Sequence, residues 1–156
     1  MAPGGVSGGL QWGSSTDGKR VFVAVSNAGP TTNGGGVAPL PWTLKDGSVT
    51  LSGGWAALDA NKGDLLWTTK DPQGRRAEGA VTGANGVIFG CNQDTRSPDA
   101  TQQQSTYWAL DAQSGAPLWS FEPGAGPCTA GASVVDGMVA AWTTTPSSAP
   151  ACATPR

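Results

Sequence analysis

The sequence has 156 residues, a formal net charge of −2 and only 13% charged residues, which is the size of a single domain without strongly charged character. The longest basic cluster is Arg75-Arg76 and no apolar stretch reaches the length of a membrane span, so nucleic-acid binding and membrane insertion are not expected. The absence of histidine excludes histidine zinc sites, Ser-His-Asp triads and CxxCH haem sites. Three cysteines form no CxxC pair and leave at least one thiol unpaired.

The N-terminal segment, residues 1–8, lacks the basic and apolar regions of a signal peptide. Either the protein is not exported or its true start lies upstream. After this segment the chain carries three copies of one hairpin pattern, in which a strand of small residues precedes an apolar strand. Each pair is joined by a dipeptide that favours type I′ turns: Asp17-Gly18, Asn85-Gly86 and Asp136-Gly137.

A second hairpin occurs twice at a fixed spacing of 52 residues, since 109 − 57 = 52. In each copy the Asp is suited to bond backbone N–H groups ahead of it, and the Gly to close the turn in a left-handed conformation. A fixed spacing of this kind is typical of repeat architectures. The two copies share four positions: Ala57, Asp59, Gly63 and Trp67 in the first, and Ala109, Asp111, Gly115 and Trp119 in the second.

Alternation of the two hairpins predicts four-stranded antiparallel units of roughly propeller-blade length. Blade one covers residues 9–70 with a long loop at 28–54, blade two covers 79–122, and the first hairpin of blade three covers 130–144. Residues 145–156 are rich in Pro and Ala and are predicted to be a disordered tail. The fold class predicted is therefore all-β, a partial β-propeller.

Written as Ala-Leu-Asp-x-x-x-Gly-x-x-x-Trp, the repeated motif resembles the Trp-docking motif of the pyrroloquinoline-quinone (PQQ) propeller family, A-x-D-x-x-T-G-x-x-x-W. Lys62 and Ser114 stand where that family has Thr. The pieces GGLQWGSSTDGKRVFVAVSN, GGWAALDANKGDLLWTTKDP and YWALDAQSGAPLW are most similar to polyvinyl-alcohol-dehydrogenase-like quinoproteins, bacterial and plant or algal. The resemblance implies that Trp67 and Trp119 dock between neighbouring blades, so the motif residues have a structural role.

The same resemblance implies PQQ and Ca²⁺ as cofactors, a secondary or polymeric alcohol as substrate, and a periplasmic or secreted location. A quinone site needs an aromatic platform, donors for carboxylates, and oxygen ligands for Ca²⁺. Arg75 and Arg76 are suited to pair with carboxylates or to form a solvated loop pair. Residues expected near a central channel, where a propeller holds its ligand, are Gln11, Trp12, Glu78 and Thr129.

An alternative role for Trp12 is packing between strands. The sequence has no three adjacent Asp, Asn or Glu residues that would identify a metal site, and it identifies no catalytic base. Members of this family have eight blades, whereas the chain supplies about two and a half. We therefore expect a fragment whose partners are the remaining blades or other chains of a larger assembly. Two functions are open: part of a PQQ-dependent alcohol dehydrogenase, or a non-catalytic propeller that acts as a scaffold or interaction module.

Overall fold

The computed structural model describes residues 10, 12–27, 39–94, 103–124, 126–141 and 151–153, the last three as backbone only. Within these ranges every regular element is a β-strand, and no helix is long and apolar enough to cross a membrane. All strand pairs are antiparallel. The prediction of an all-β fold is confirmed.

Blade one is a four-stranded antiparallel sheet in the order β1-β2-β5-β6. Its strands are β1 (Ser15–Thr16), β2 (Arg20–Val25), β5 (Gly54–Asp59) and β6 (Leu65–Lys70). The predicted loop between β2 and β5 contains a small hairpin of β3 (Trp42–Thr43) and β4 (Val49–Thr50). Trp42 is buried there with Val25 and Leu44, and its indole N–H donates to the Ser52 carbonyl at 2.8 Å.

Blade two has the order β11-β10-β9-β7, with β8 also paired to β9. Its strands are β7 (Arg76–Ala77), β8 (Thr82–Ala84), β9 (Val87–Gln93), β10 (Ser105–Asp111) and β11 (Pro117–Phe121). One edge of β9 is thus covered by two short strands, and Glu78 lies in the gap between them. The sheet begins at Arg76, three residues before the predicted start at 79.

Blade three contributes three strands in the order β12-β13-β14. They are β12 (Ser133–Val135), β13 (Met138–Ala141) and β14 (Ala151–Ala153). Residues 151–153 were expected in a disordered tail, but their backbone pairs with the free edge of β13. An unpaired strand edge favours such an addition, which composition alone does not reveal. Residues 142–150 and 154–156 lie outside the described part of the chain.

The turns of the three small-residue hairpins differ. Asn85-Gly86 and Asp136-Gly137 both have two positive φ angles, as type I′ turns require. At Asp17-Gly18 only Gly18 has a positive φ, of 84°, so the type I′ prediction is wrong there. Instead the Asp17 carboxylate accepts bonds from the Lys19 and Arg20 amides at 2.9 and 2.7 Å, and those bonds stabilise a wider turn.

The short strands β1, β8 and β12, which we call the inner strands, lie side by side in successive blades. The Val81 amide donates to the Gly13 carbonyl at 3.2 Å, and the Thr82 hydroxyl donates to the Ala132 carbonyl at 2.7 Å. One apolar cluster lies between blades one and two around Trp55 and Trp67, and a second between blades two and three. In the described residues, antiparallel blades of four, five and three strands, joined at their inner strands, form a partial β-propeller.

Candidate functional site

Trp12 and Glu78 line one small cavity beside the inner strands, which we call the inner cavity. Its volume is about 200 Å³, and its other walls include Val23, Ala24 and Gly79. Trp12 is 45% exposed, so it is not sequestered by packing between strands. The structure thus brings together two of the four residues predicted to face the channel.

Glu78 is buried, and both of its described partners contact the same carboxylate oxygen. The Gln93 amide nitrogen donates to Glu78 Oε2 at 2.7 Å, and Arg76 Nε lies 2.9 Å from that atom in an ion pair. Burial lowers the pKa of Arg76, and the Glu78 carboxylate opposes that shift. A carboxylate held in this way is positioned by the fold and already satisfied in part by protein groups.

Thr129 and Gln11 do not complete this site. Thr129 is half-buried and lies seven residues before Asp136, as Glu78 lies seven before Asn85, so the two hold equivalent positions in successive blades. Thr129 is not among the residues that line the inner cavity. Gln11 lies outside the described residues.

The described residues do not fit PQQ and Ca²⁺ well. The inner cavity is smaller than the roughly 300–1,000 Å³ of ordinary ligand sites. Among the described residues no group of three or more Cys, Asp or Glu side chains could hold a metal ion. Glu78, the one buried carboxylate at the inner cavity, is paired with Arg76.

The repeated motif forms the same turn in both blades. In blade one, Asp59 Oδ1 accepts bonds from the Asn61 and Lys62 amides at 2.9 and 2.8 Å. The Gly63 amide donates to the Asp59 carbonyl at 2.9 Å, and Gly63 has a φ of 74°. These bonds satisfy the backbone of a tight turn that only a left-handed residue can close.

In blade two, Asp111 Oδ1 accepts bonds from the Gln113 and Ser114 amides at 3.0 and 2.7 Å, and from the Ser114 hydroxyl at 2.7 Å. The Gly115 amide donates to the Asp111 carbonyl at 2.8 Å, and Gly115 has a φ of 75°. The Ser114 bonds hold the pKa of Asp111 below its ordinary value. Ser114 thus adds a contact to the turn that Lys62 does not supply at the same position in blade one.

Trp67 joins the turn of blade two to blade one. Its indole N–H donates to the Ala112 carbonyl at 3.1 Å, and a Cβ at Gly115 would lie 2.5 Å from the indole ring. The Arg20 guanidinium donates to the same Ala112 carbonyl at 2.8 Å. Glycine is therefore required at 115 for close approach as well as for its backbone conformation.

The two motif alanines lie where docking of a tryptophan between blades requires a small side chain. Ala57 and Ala109 are both buried, and each pairs across the strands with the tryptophan of its own motif. Trp119 is only half-buried; it packs on the cluster between blades two and three and stacks on Phe121 with ring centroids 5.9 Å apart. Within the described residues its indole nitrogen makes no hydrogen bond, unlike that of Trp67.

A buried polar network connects blade one to blade two, and sequence reasoning did not find it. Asp71 accepts bonds from Asn92 Nδ2 at 2.6 Å and from the Gln73 and Arg75 amides at 3.1 and 2.7 Å. Burial raises the pKa of Asp71. The only sequence signal was the turn-like Asp-Pro-Gln-Gly stretch, which predicts a loop but not its burial.

Arg75 and Arg76 are also more constrained than a solvated loop pair. Arg76 belongs to β7, and both side chains line a second cavity of about 460 Å³ between blades one and two.

Cys91 and Cys128 form a disulfide that ties β9 to the segment before β12. The sequence left this pairing open, because it requires knowing which strands are neighbours.

Comparison with known proteins supports no family assignment. No family model matches the sequence, and no curated protein matches it. Among solved structures, the chain is similar to BamB from Moraxella catarrhalis, with 16% identity and a TM-score of 0.28. The match covers 86% of this chain and 46% of that one, so this chain spans less than half of BamB's length. The assignment to a partial propeller rests on the sheets of the chain itself.

Proposed function

We propose that the chain is a section of a non-catalytic β-propeller that acts as a scaffold by docking further propeller blades. The observation that carries this proposal is an unfilled copy of its own inter-blade contact. Ala112, in the turn of blade two, is 3% exposed because Trp67 covers that turn, whereas Ala60 at the equivalent position of blade one is exposed. A Cβ at Gly63 would meet nothing within 4 Å.

The occupant of the blade-one turn is a blade that presents a tryptophan, by continuity with the contact already made at Ala112. Such an indole would donate to the Ala60 carbonyl as Trp67 donates to the Ala112 carbonyl. Within the described residues no donor reaches the Ala60 carbonyl. Propeller blades bury their faces against neighbours, so an uncovered blade end favours association.

Sedimentation velocity of the purified chain over rising concentration tests the proposal. A second copy of the chain serves as the probe, because it carries tryptophans in the same motif. Ala60→Arg adds a bulky charge at the exposed turn and is expected to abolish association. Val49→Arg adds the same charge on the β3–β4 hairpin, at another exposed position, and is the control. A monomer at every concentration, or association unaffected by Ala60→Arg, would overturn the proposal.

A second candidate is part of a PQQ- and Ca²⁺-dependent alcohol dehydrogenase acting on secondary or polymeric alcohols. The observation that favours it is the aromatic face of Trp12 beside the buried carboxylate of Glu78, although the inner cavity is small for a quinone and Glu78 is paired with Arg76. Bound PQQ would supply the hydride acceptor. Trp12 would provide the platform, and Glu78, ion-paired with Arg76, would lie beside it.

Addition of PQQ and Ca²⁺ to the purified chain tests the second candidate. Binding is expected to quench tryptophan fluorescence and shift the quinone absorbance, and Trp12→Ala should abolish both signals. Unchanged spectra would reject the candidate.

For either function, the Cys91–Cys128 disulfide supports an oxidising compartment such as the periplasm or the cell exterior.

A further inference from the structure

The second cavity, which we call the junction cavity, lies where β6 ends and β7 begins. Its volume is about 460 Å³, within the range of small-molecule sites. The residues that matter for its chemistry are Leu51, Lys70, Arg75, Arg76, Gln93 and Asp94. Neither Ala60 nor Gly63 lines the cavity, so it is separate from the exposed turn of blade one.

Three cations, those of Lys70, Arg75 and Arg76, line the junction cavity together with the carboxylates of Asp71 and Asp94. Arg76 is also ion-paired with Glu78. The Asp71 carboxylate is already occupied by Asn92 Nδ2 and two backbone amides. Arg75 Nε lies 4.0 Å from Asp94 Oδ2, a distance that gives an ion pair but no hydrogen bond. An anion entering the cavity would accept a hydrogen bond from Arg75 Nε.

Three buried polar atoms of the cavity residues lack hydrogen-bond partners in the described structure. They are Oε1 of Gln93, a residue only 2% exposed, Nε of Arg75, and Nε of Arg76, which lies in the ion pair with Glu78. A buried polar atom without a partner costs about 1–3 kcal/mol, and native proteins compensate such atoms with a bound group or water. A ligand that satisfied both atoms would offer a donor to the Gln93 oxygen and an acceptor to the Arg75 nitrogen, either directly or through a water.

The mouth of the cavity is apolar. Pro39, Leu51 and Pro72 line it, and Leu51 is 56% exposed. An exposed leucine beside a cationic floor suits a molecule that has an anionic head and a short hydrocarbon part. A fully hydrated inorganic anion would leave the leucine uncovered.

We propose that the junction cavity binds a small aliphatic monocarboxylate, with its carboxylate towards Arg75, Arg76 and Lys70 and its hydrocarbon part against Leu51. Arg75 Nε provides a charged N–H donor suited to a carboxylate, while the two terminal nitrogens of Arg75 donate to Thr106 Oγ1 at 3.1 Å and Gln104 Oε1 at 3.4 Å. A water held by the carboxylate donates to the Gln93 oxygen. The site is independent of blade docking, because it uses neither motif turn.

Titration of the ¹⁵N-labelled chain with hexanoate tests the site by NMR. Saturable shifts are expected at the amides of residue 51, residues 70–71 and 73–76, and residues 93–94. Hexanol and hexylammonium are the neutral and cationic probes of equal length, and acetate lacks the hydrocarbon part. Hexanoate is expected to bind more tightly than all three. Equal shifts with hexanol or hexylammonium, or no saturable shift with hexanoate, would overturn the proposal.

Matched charge variants sharpen the result. Leu51→Glu places a negative charge at the mouth and is expected to weaken hexanoate binding at least about threefold. Lys70→Gln is expected to act in the same direction. Leu118→Glu adds the same charge at an exposed leucine of β11, outside the cavity, and should leave binding unchanged. Equal weakening by Leu51→Glu and Leu118→Glu would show a general charge effect and overturn the assignment.

Discussion

Trp67 and Trp119 occupy the same position of the same motif, yet the two blade junctions are closed differently. Between blades one and two, Trp67 is buried, donates a hydrogen bond to Ala112 and lies against Gly115. Between blades two and three, Trp119 is half-buried, and the Cys91–Cys128 disulfide provides a covalent link. Trp67 therefore stabilises its junction through both burial and a hydrogen bond to the next turn, whereas the described part of the chain shows no such bond for Trp119.

The largest expected effect comes from Trp67→Ala. The substitution empties a buried site between two blades, and we expect a loss of about 3–5 kcal/mol in the free energy of unfolding. Trp119→Ala should cost about 1–2 kcal/mol, because its ring is partly exposed. Urea unfolding followed by circular dichroism measures both. Equal losses would show that the two junctions depend on their tryptophans to the same extent.

Much of this comparison was accessible from the sequence, because the motif is local. The spacing of 52 residues gave the repeated hairpin, and the Asp and Gly identities gave its turn. What the sequence could not supply is the partner of each tryptophan. The bond from Trp67 to Ala112 joins residues 45 positions apart, and its presence depends on how two sheets pack.

The candidate sites were less predictable for the same reason. Trp12 and Glu78 were selected from their place before inner strands, and they do share a cavity. The junction cavity was missed, since Leu51 and Gln93 are far in sequence from the β6–β7 connection that carries Lys70 and Arg75, and no common pattern links these stretches. The Asp71 network shows the same limit: its carboxylate pairs with Asn92, 21 positions away.

The second prediction addresses the junction of blades two and three. Reduction of the Cys91–Cys128 disulfide opens a loop with a sequence separation of 37 and is expected to cost about 3–4 kcal/mol. Guanidinium unfolding with and without reductant measures the loss. Hydrogen exchange should increase most at β12 and β13, while the amides beside Trp67 stay protected. Loss of protection at Trp67 first would contradict the independence of the two junctions.

The third prediction compares the two motif glycines. Gly63 and Gly115 have almost the same φ, so alanine at either position costs about 1–2 kcal/mol in backbone strain. At Gly115 the new methyl would also overlap the Trp67 ring and the Thr69 hydroxyl, which adds about 1–3 kcal/mol. In thermal unfolding, the melting temperature of Gly115→Ala should therefore be well below that of Gly63→Ala. Similar melting temperatures would mean that Trp67 moves away from the turn at little cost.

The smallest expected effect concerns the motif turn of blade two. The hydroxyl and amide of Ser114 lower the pKa of Asp111 from its ordinary value of 3.8, and Ser114→Ala removes the hydroxyl part of that shift. Because the folded pKa lies below the unfolded one, the ionised Asp111 stabilises the fold above about pH 3.8, and that contribution is lost as the pH falls further. A carbon-detected NMR titration of the Asp111 carboxyl should give a higher pKa in Ser114→Ala than in the wild type. Lys62→Ala, at the equivalent position in blade one, is the control and should leave Asp111 unchanged. An unchanged Asp111 pKa in Ser114→Ala would mean that the backbone amides alone hold this turn, and that the two motif copies differ only in the tryptophan that covers them.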